Sequence, residues 1–251
     1  MDRIVFTAMS GAKQSLDEQA VISNNLANVA TSGFRAQLSA MRAVPVSQDD
    51  ALGTRVSSVA STPLSNFSIG PLESTGRDLD IALSEGAWLA VQTVDGGEAY
   101  TRRGDLQIDG NGVLTSAGRP VLGIDGPLVV PLGAELFIGN DGVLSTIGLG
   151  ENPNALSPLG QLKLVKAEPE QLLRGDDGLF RPAPNAEGNV AALPQDDTVR
   201  VQTGVLEGSN VSALEAMVAM IDVARRYELQ MSVIDRADEN AQRANSLLGR
   251  G

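Results

Sequence analysis

The stretch VISNNLANVATSGF, residues 21 to 34, decides how this chain is read. Its apolar positions Ile22, Leu26 and Val29 continue a spacing of three and four that starts at Val5 and runs through Ala8, Ala12, Ser15 and Gln19, with Met9 and Leu16 beside it. That spacing predicts one amphipathic helix, on the order of 40 Å long. Gly33 is placed to take the left-handed position past its end, and Phe34 to fold back as the hydrophobic contact of a Schellman-type cap. Three amides, Asn24, Asn25 and Asn28, sit on this helix and need partners.

The other end of the chain has the same texture. Ser212 and Glu215 stand three apart before an apolar run, the capping-box arrangement. From there Met217, Met220, Ala224, Tyr227, Met231, Ile234, Asp238, Ala241, Asn245 and Leu248 alternate spacings of three and four, a heptad pattern. Between the ends, Gly and Pro punctuate short runs that read as strands: RDLDIAL, AWLAVQT, LQIDGNGVL, GPLVVP, GQLKLVKA and TVRVQTGVL. Asp-Gly and Asn-Gly supply the positive φ their turns require. IDGNGVLTS at 108 to 116 is echoed by IGNDGVLST at 138 to 146, which predicts one hairpin used twice.

The reading is therefore α+β: long N- and C-terminal helices paired as a coiled-coil-like domain over 1–30 and 210–251, and a β-rich outer domain over 76–194. Residues 31–75 and 195–209 are expected as connecting segments, since QLSAMRAVPVSQDD and SSVASTPLSNFSIGP lack sustained periodicity.

Composition removes most chemistry. The 251 residues include no cysteine and no histidine, so thiol nucleophiles, disulfides, imidazole bases and the usual zinc ligands are absent together. A net charge of -12 argues against nucleic acid, which needs clustered Lys and Arg. No run approaches a membrane span and no cleavable export signal is visible, so neither is expected. Carboxylates remain. Asp78 and Asp80, two apart in an expected strand, would share a face and suit an acid/base pair of a secreted carbohydrate-active enzyme. Arg77 beside them and the absence of an aromatic sugar platform favour a solvated strand face instead. The turns at 109–112 and 140–142 faintly resemble calcium loops but lack the full ligand set, so turn chemistry is favoured there.

The terminal stripes offer more. Ala8, Ala12, Ser15 and Gln19 bury little apolar area, at about 25 cal/mol per Å2, against an ordering cost of roughly 1–2 kcal/mol per residue. Such a helix is marginal alone, and small residues permit close backbone approach. The amides are accordingly read as contacts for neighbouring helices. Residues 1–30 and 210–251 each carry a net charge of -1, which leaves -10 on the middle. Near-neutral helices suit close packing of many copies, and an acidic middle suits solvent.

SNNLANVATSGFRAQ resembles the N-terminal signature of bacterial flagellar rod and hook proteins. The likeness spans the chain: MDRIVFTAM, FRAQLSAMRAVPV, TGRDLDIAL, AWLAVQT, YTRRGDLQID, VLEGSNVSALEAMVAMIDVARRYELQM and DENAQRANSLLGR are similar to the proximal-rod members. Distal-rod members carry a QRAYE-type run where this chain has ARRYE, 224–228, which favours the proximal position over a distal-rod or hook-type one. The resemblance implies a non-enzymatic structural subunit with no cofactor, metal or small-molecule substrate. It implies export by the flagellar type III apparatus without a cleaved signal, and assembly in the periplasm with copies of itself and other rod proteins. The helices would form the inner tube and the β region would face outward. By motif, Asn24, Asn25, Leu26, Asn28, Gly33 and Phe34, with Ser209, Asn210, Val211, Glu215, Met220, Tyr227 and Glu228, are carried over as contact and cap residues. The stripes add Val5, Ala8, Ala12, Ile22, Met217, Met231, Ile234 and Leu248 to the expected subunit contacts.

Overall fold

A computed structural model of the chain describes residues 2–38, 41–45, 56–60, 64–148, 156–184 and 190–248. Helix α1 spans Asp2–Ala27 and helix α2 spans Ala213–Leu248, with short antiparallel strands between them. Two compact units result. One comprises residues 1–29, 36–66 and 211–251, the other residues 30–35 and 67–210.

In the helical unit α1 and α2 run antiparallel, with Glu18 and Arg226 paired at 2.7 Å and Gly11 set against the amide of Gln230. Two strand pairs accompany them. Met41–Pro45 pairs with Val56–Ala60, and Gln37–Leu38 with Leu64–Ser65. The sequence offers only an extended segment here, because Ser, Ala and Thr fill positions where apolar alternation would mark a strand.

The β unit centres on a five-stranded antiparallel sheet ordered Leu164–Lys166, Ala87–Gln92, Glu98–Thr101, Phe180–Pro182, Leu172–Arg174. Its strand AWLAVQ is buried on both faces, which is why it reads as a continuous apolar run. Ala87, Leu89 and Val91 enter one core with Ile81, Leu106, Leu114, Leu144 and Leu162. Trp88 and Ala90 enter a second with Tyr100, Val165, Leu172 and Phe180.

The echoed sequences fold as the expected repeated hairpin. Asp109 N–H donates to Val113 O and Gly112 N–H to Asp109 O, and Gly139, Val143 and Gly142 repeat both bonds at 2.8 and 2.9 Å. Gly112 and Gly142 supply φ of +84° and +77°. The same pair of bonds recurs at Thr93–Gly97 and Gly175–Leu179, closed by Gly96 and Gly178. This three-residue loop, a type I turn followed by a left-handed glycine, is thus built four times among the described residues.

Several elements differ from expectation. RDLDIAL is a strand only over Ile81–Leu83, GQLKLVKA divides between Ser157–Gln161 and Leu164–Lys166, and TVRVQTGVL breaks at Gly204, whose φ is +72°. Helix α1 stops at Ala27, well before Gly33. The side chain of Asn28 donates to Asn24 O at 2.8 Å and terminates the helix there.

Candidate functional site

The small-residue stripe of α1 is a packed face. Ala8, Ala12 and Ser15 are buried, and they share a side of the helix with Gly11 and Glu18, the residues that meet α2. On α2 Val223 is buried, while Met220, Tyr227, Met231 and Ile234 are half-buried, as are Val5, Ile22 and Leu26 on α1. The stripe thus meets a helix of its own chain. Leu248 ends α2, and its side chain lies outside the described ones.

A different set of residues faces outward. On α1 these are Ile4, Phe6, Met9 and Leu16, with Phe6 71% exposed. On α2, Leu214, Met217, Val218, Ile221, Leu229 and Val233 form a second apolar stripe on a helix that already has a packed side. Of the α2 residues only Met217 is singled out by the sequence, and on α1 Met9 and Leu16 are noted beside the stripe. The signal was present, since Leu214, Met217, Val218 and Ile221 keep the spacing of three and four. Large apolar residues thus stay exposed along both members of the helix pair.

The asparagines behave differently from one another. Asn25 Nδ2 donates to Gln37 O and its Oδ1 accepts from Gln37 N–H, both at 2.8 Å, so its amide acts as one residue of a β-ladder. Asn28 terminates the helix, and Asn24 is exposed. Two of the three amides therefore have partners in the chain itself. At the start of α2 the hydroxyl of Ser212 accepts from Glu215 N–H at 3.3 Å, the expected N-cap.

Gly33, Phe34 and Asn210 belong to the β unit and converge on a buried charge cluster. Gly33 has φ +65°, donates to Glu207 O at 2.7 Å, and lies so close to the Arg102 backbone that a Cβ would overlap it. The predicted positive φ is present, but it serves this approach and not a helix cap. Phe34 is buried under the Arg174 guanidinium, 4.5 Å from its ring, and Phe34 O accepts from Asn210 N–H. Beside them Glu207 is 1% exposed between Arg35 and Arg102, both 2% exposed. Arg102 donates to Glu207 through Nε at 2.8 Å and Nη2 at 2.5 Å, and to the carbonyls of Leu83, Ser84 and Ala87. Arg35 Nη1 lies 2.5 Å from the other Glu207 oxygen, which also accepts from Gly70 N–H. Burial holds the Arg35 guanidinium below its usual range, Glu207 pulls it back up, and Arg102 pushes it further down. None of these three charges is singled out by the sequence. Their only trace is a charge set among buried apolar and small residues, as in VLEGS.

The carboxylate pair does not form. Asp78 is exposed in a turn, whereas Asp80 is buried, ion-paired with Arg77 and bridged by backbone to Asp105. They share no strand face because the strand starts only at Ile81. In the calcium-like loops Asp109 accepts from Asn111 and Val113 N–H, and Asp141 from Val143 N–H, which is turn chemistry.

Comparison with known proteins matches residues 7–35 to the family described as flagella basal body rod protein, and residues 202–247 to the C-terminal family of flagellar basal body rod FlgEFG proteins. The chain is 51% identical to the flagellar basal-body rod protein FlgF of Escherichia coli K12 and 50% identical to that of Salmonella typhimurium LT2, over 99% of each chain. It is 30% identical to the flagellar basal-body rod protein FlgG of Borreliella burgdorferi, over 98% of this chain and 99% of the relative.

Proposed function

The chain belongs to the flagellar basal-body rod protein family, and from that premise we propose that it is a structural, non-enzymatic subunit of the proximal rod. It assembles through α1 and α2 into a helical tube that transmits torque toward the hook. One observation carries this reading: both members of the helix pair keep a row of large apolar side chains exposed after their packed sides have met. A surface of that kind is completed by other subunits, which are copies of this chain and other rod proteins. Phe6, Met9, Met217 and Ile221 would contact neighbours directly. The remaining sequence-derived contact residues, from Val5, Ala8 and Ala12 to Tyr227, Met231 and Ile234, would hold the pair in shape for that contact. The proximal position is favoured over the distal one by ARRYE at 224–228 and by identities of 51% and 50% to the Escherichia coli and Salmonella FlgF relatives against 30% to the FlgG relative. The family reading carries with it export by the type III apparatus without a cleaved signal and assembly in the periplasm.

The test is Met217→Glu. The single Trp88, buried in the β unit, reports on folding of that unit by fluorescence, and far-UV circular dichroism reports on the helices. The expected result is native fluorescence with loss of rod incorporation and motility. Normal incorporation in isolated basal bodies would overturn the assignment of this surface, and incorporation at the distal position would overturn the proximal reading.

A further inference from the structure

The β unit holds a cavity of about 560 Å3 beside the buried charge cluster. Arg35, Arg102 and Trp88 line it, with Phe67 and Ile69 among the apolar residues of its wall. Three features of this lining point to one kind of ligand. Glu207 is the single carboxylate paired with two buried arginines, so the cluster carries an uncompensated positive charge. Arg35 Nε and the indole Nε1 of Trp88 are buried N–H donors with no hydrogen-bond acceptor among the described residues, and both residues are 2% exposed. Arg35 Nη1 is engaged by Glu207 at 2.5 Å, which leaves Nε, on the other side of the guanidinium, to serve a second acceptor. Buried donors of this kind are costly when unmet, a charged one more so. A guanidinium edge is shaped for a planar oxyanion.

The other charges around the cavity narrow the choice. Glu85, Lys166 and Glu168 line it and are exposed, so they make its rim acidic overall, which disfavours a multiply charged phosphate. Arg174 adds a further half-buried cation behind Arg35, to whose carbonyl it donates. A singly charged group with an apolar stem fits both the excess positive charge and the aromatic wall.

We propose that this cavity is a carboxylate-binding site in which Arg35 and Trp88 donate to the bound oxygens while Phe67 and Ile69 cover the carbon chain. Its ligand is either a free small carboxylate or the acidic side chain of a second copy. The site goes beyond the rod assignment and does not depend on it.

The chain has one tryptophan, so its indole N–H gives one unambiguous cross-peak in a 1H–15N spectrum of the full-length protein. Sodium propionate is titrated in, with sodium chloride at matched ionic strength as control. A saturable shift of the Trp88 peak with propionate and none with chloride is the expected result. Arg35→Lys, checked for folding by circular dichroism, is expected to weaken it about tenfold. If that variant does not fold, the wild-type titration decides alone. In a second arm protein concentration is raised without propionate. A concentration-dependent shift of the same peak that propionate reverses identifies the side chain of another copy as the ligand, and its absence beside a propionate response identifies a free carboxylate. An indole peak indifferent to propionate, or one that chloride moves equally, overturns the proposal.

Discussion

Ala117 has a φ of +51° in the turn Ser116–Arg119, and Gly118 follows at +75°. Two positive φ values in a two-residue hairpin loop define a type I′ turn, for which Asn-Gly is the favoured pair. A left-handed alanine costs roughly 1–2 kcal/mol, part of which asparagine recovers. Ala117→Asn is therefore expected to stabilise the protein by about 0.5–1 kcal/mol, measured as a rise in urea midpoint with unchanged slope. Glu207 argues the opposite case. Its two oxygens serve Arg35, Arg102 and Gly70 N–H with no solvent to replace it. Glu207→Gln leaves two buried guanidinium groups facing a neutral amide and is expected to cost about 3–5 kcal/mol in the same measurement. Neither residue announces itself in the sequence. Ala117 looks like any small turn residue, and Glu207 lies in a stretch expected to be connecting chain. What fixes each is a neighbour remote in sequence or a backbone angle, and local patterning carries neither.

Among elements, the repeated hairpin loop shows how far local chemistry reaches. Two copies, at 109–113 and 139–143, were legible because they share IxxxGVL. The loops at 93–97 and 175–179 have the same bonds but different flanks, VDGGEA and RGDDGLF, and their likeness appears only in the hydrogen bonds. The last copy is also tied by Asp177, which accepts from Arg181 at 2.9 and 2.7 Å and from Leu179 N–H at 3.2 Å. The Arg181 bonds hold its carboxyl below the usual range; burial opposes them, and the Leu179 amide and the positive charge of Arg181 and Arg119 add to the lowering. A carboxyl depressed in the folded state contributes stability that is present above its unfolded value and lost as pH falls through the lower folded one. The stability difference between wild type and Asp177→Asn is thus expected to be flat near neutrality and to shrink below about pH 4. A difference that grows on acidification would show the opposite sign of shift. The helices were legible in the same partial way. Ala8, Ala12 and Ser15 are a packed face as their spacing indicates, yet a stripe cannot say whether its partner is another molecule or the far end of the same chain.

At the scale of the whole molecule the two units differ in how much each residue buries. The β unit fills its cores with Leu, Val, Ile, Trp, Tyr and Phe, each worth about 1.5–3 kcal/mol when buried. The helical unit buries Ala8, Ala12, Ser15 and Val223 on its described helix faces and leaves larger residues outside. Amide exchange on the isolated subunit is expected to be slowest in Ala87–Gln92 and Glu98–Thr101 and markedly faster in α1 and α2. Equal protection throughout would show that the helix pair needs no further partner, which removes the energetic argument for assembly through it. The division into terminal helices and a β-rich middle was readable because hydrophobic period changes along the chain. That residues 36–66 fold with the helices was not, because their strands lack the alternation that marks one.

Helices α1, Asp2–Ala27, and α2, Ala213–Leu248, lie side by side although the whole β unit separates them in sequence. For a polypeptide delivered from one end, the leading helix arrives long before its mate, whichever end goes first. The β unit draws on residues 30–35, which bring Arg35 to Glu207, and on the consecutive stretch 67–210, so it needs neither helix to close. Its formation also shortens the loop that helix pairing must close, which lowers the entropy cost of the closing step. Delivery of that kind would set a timetable: the globular middle would be finished while its flanks are still unattached, and the helix pair would mature last.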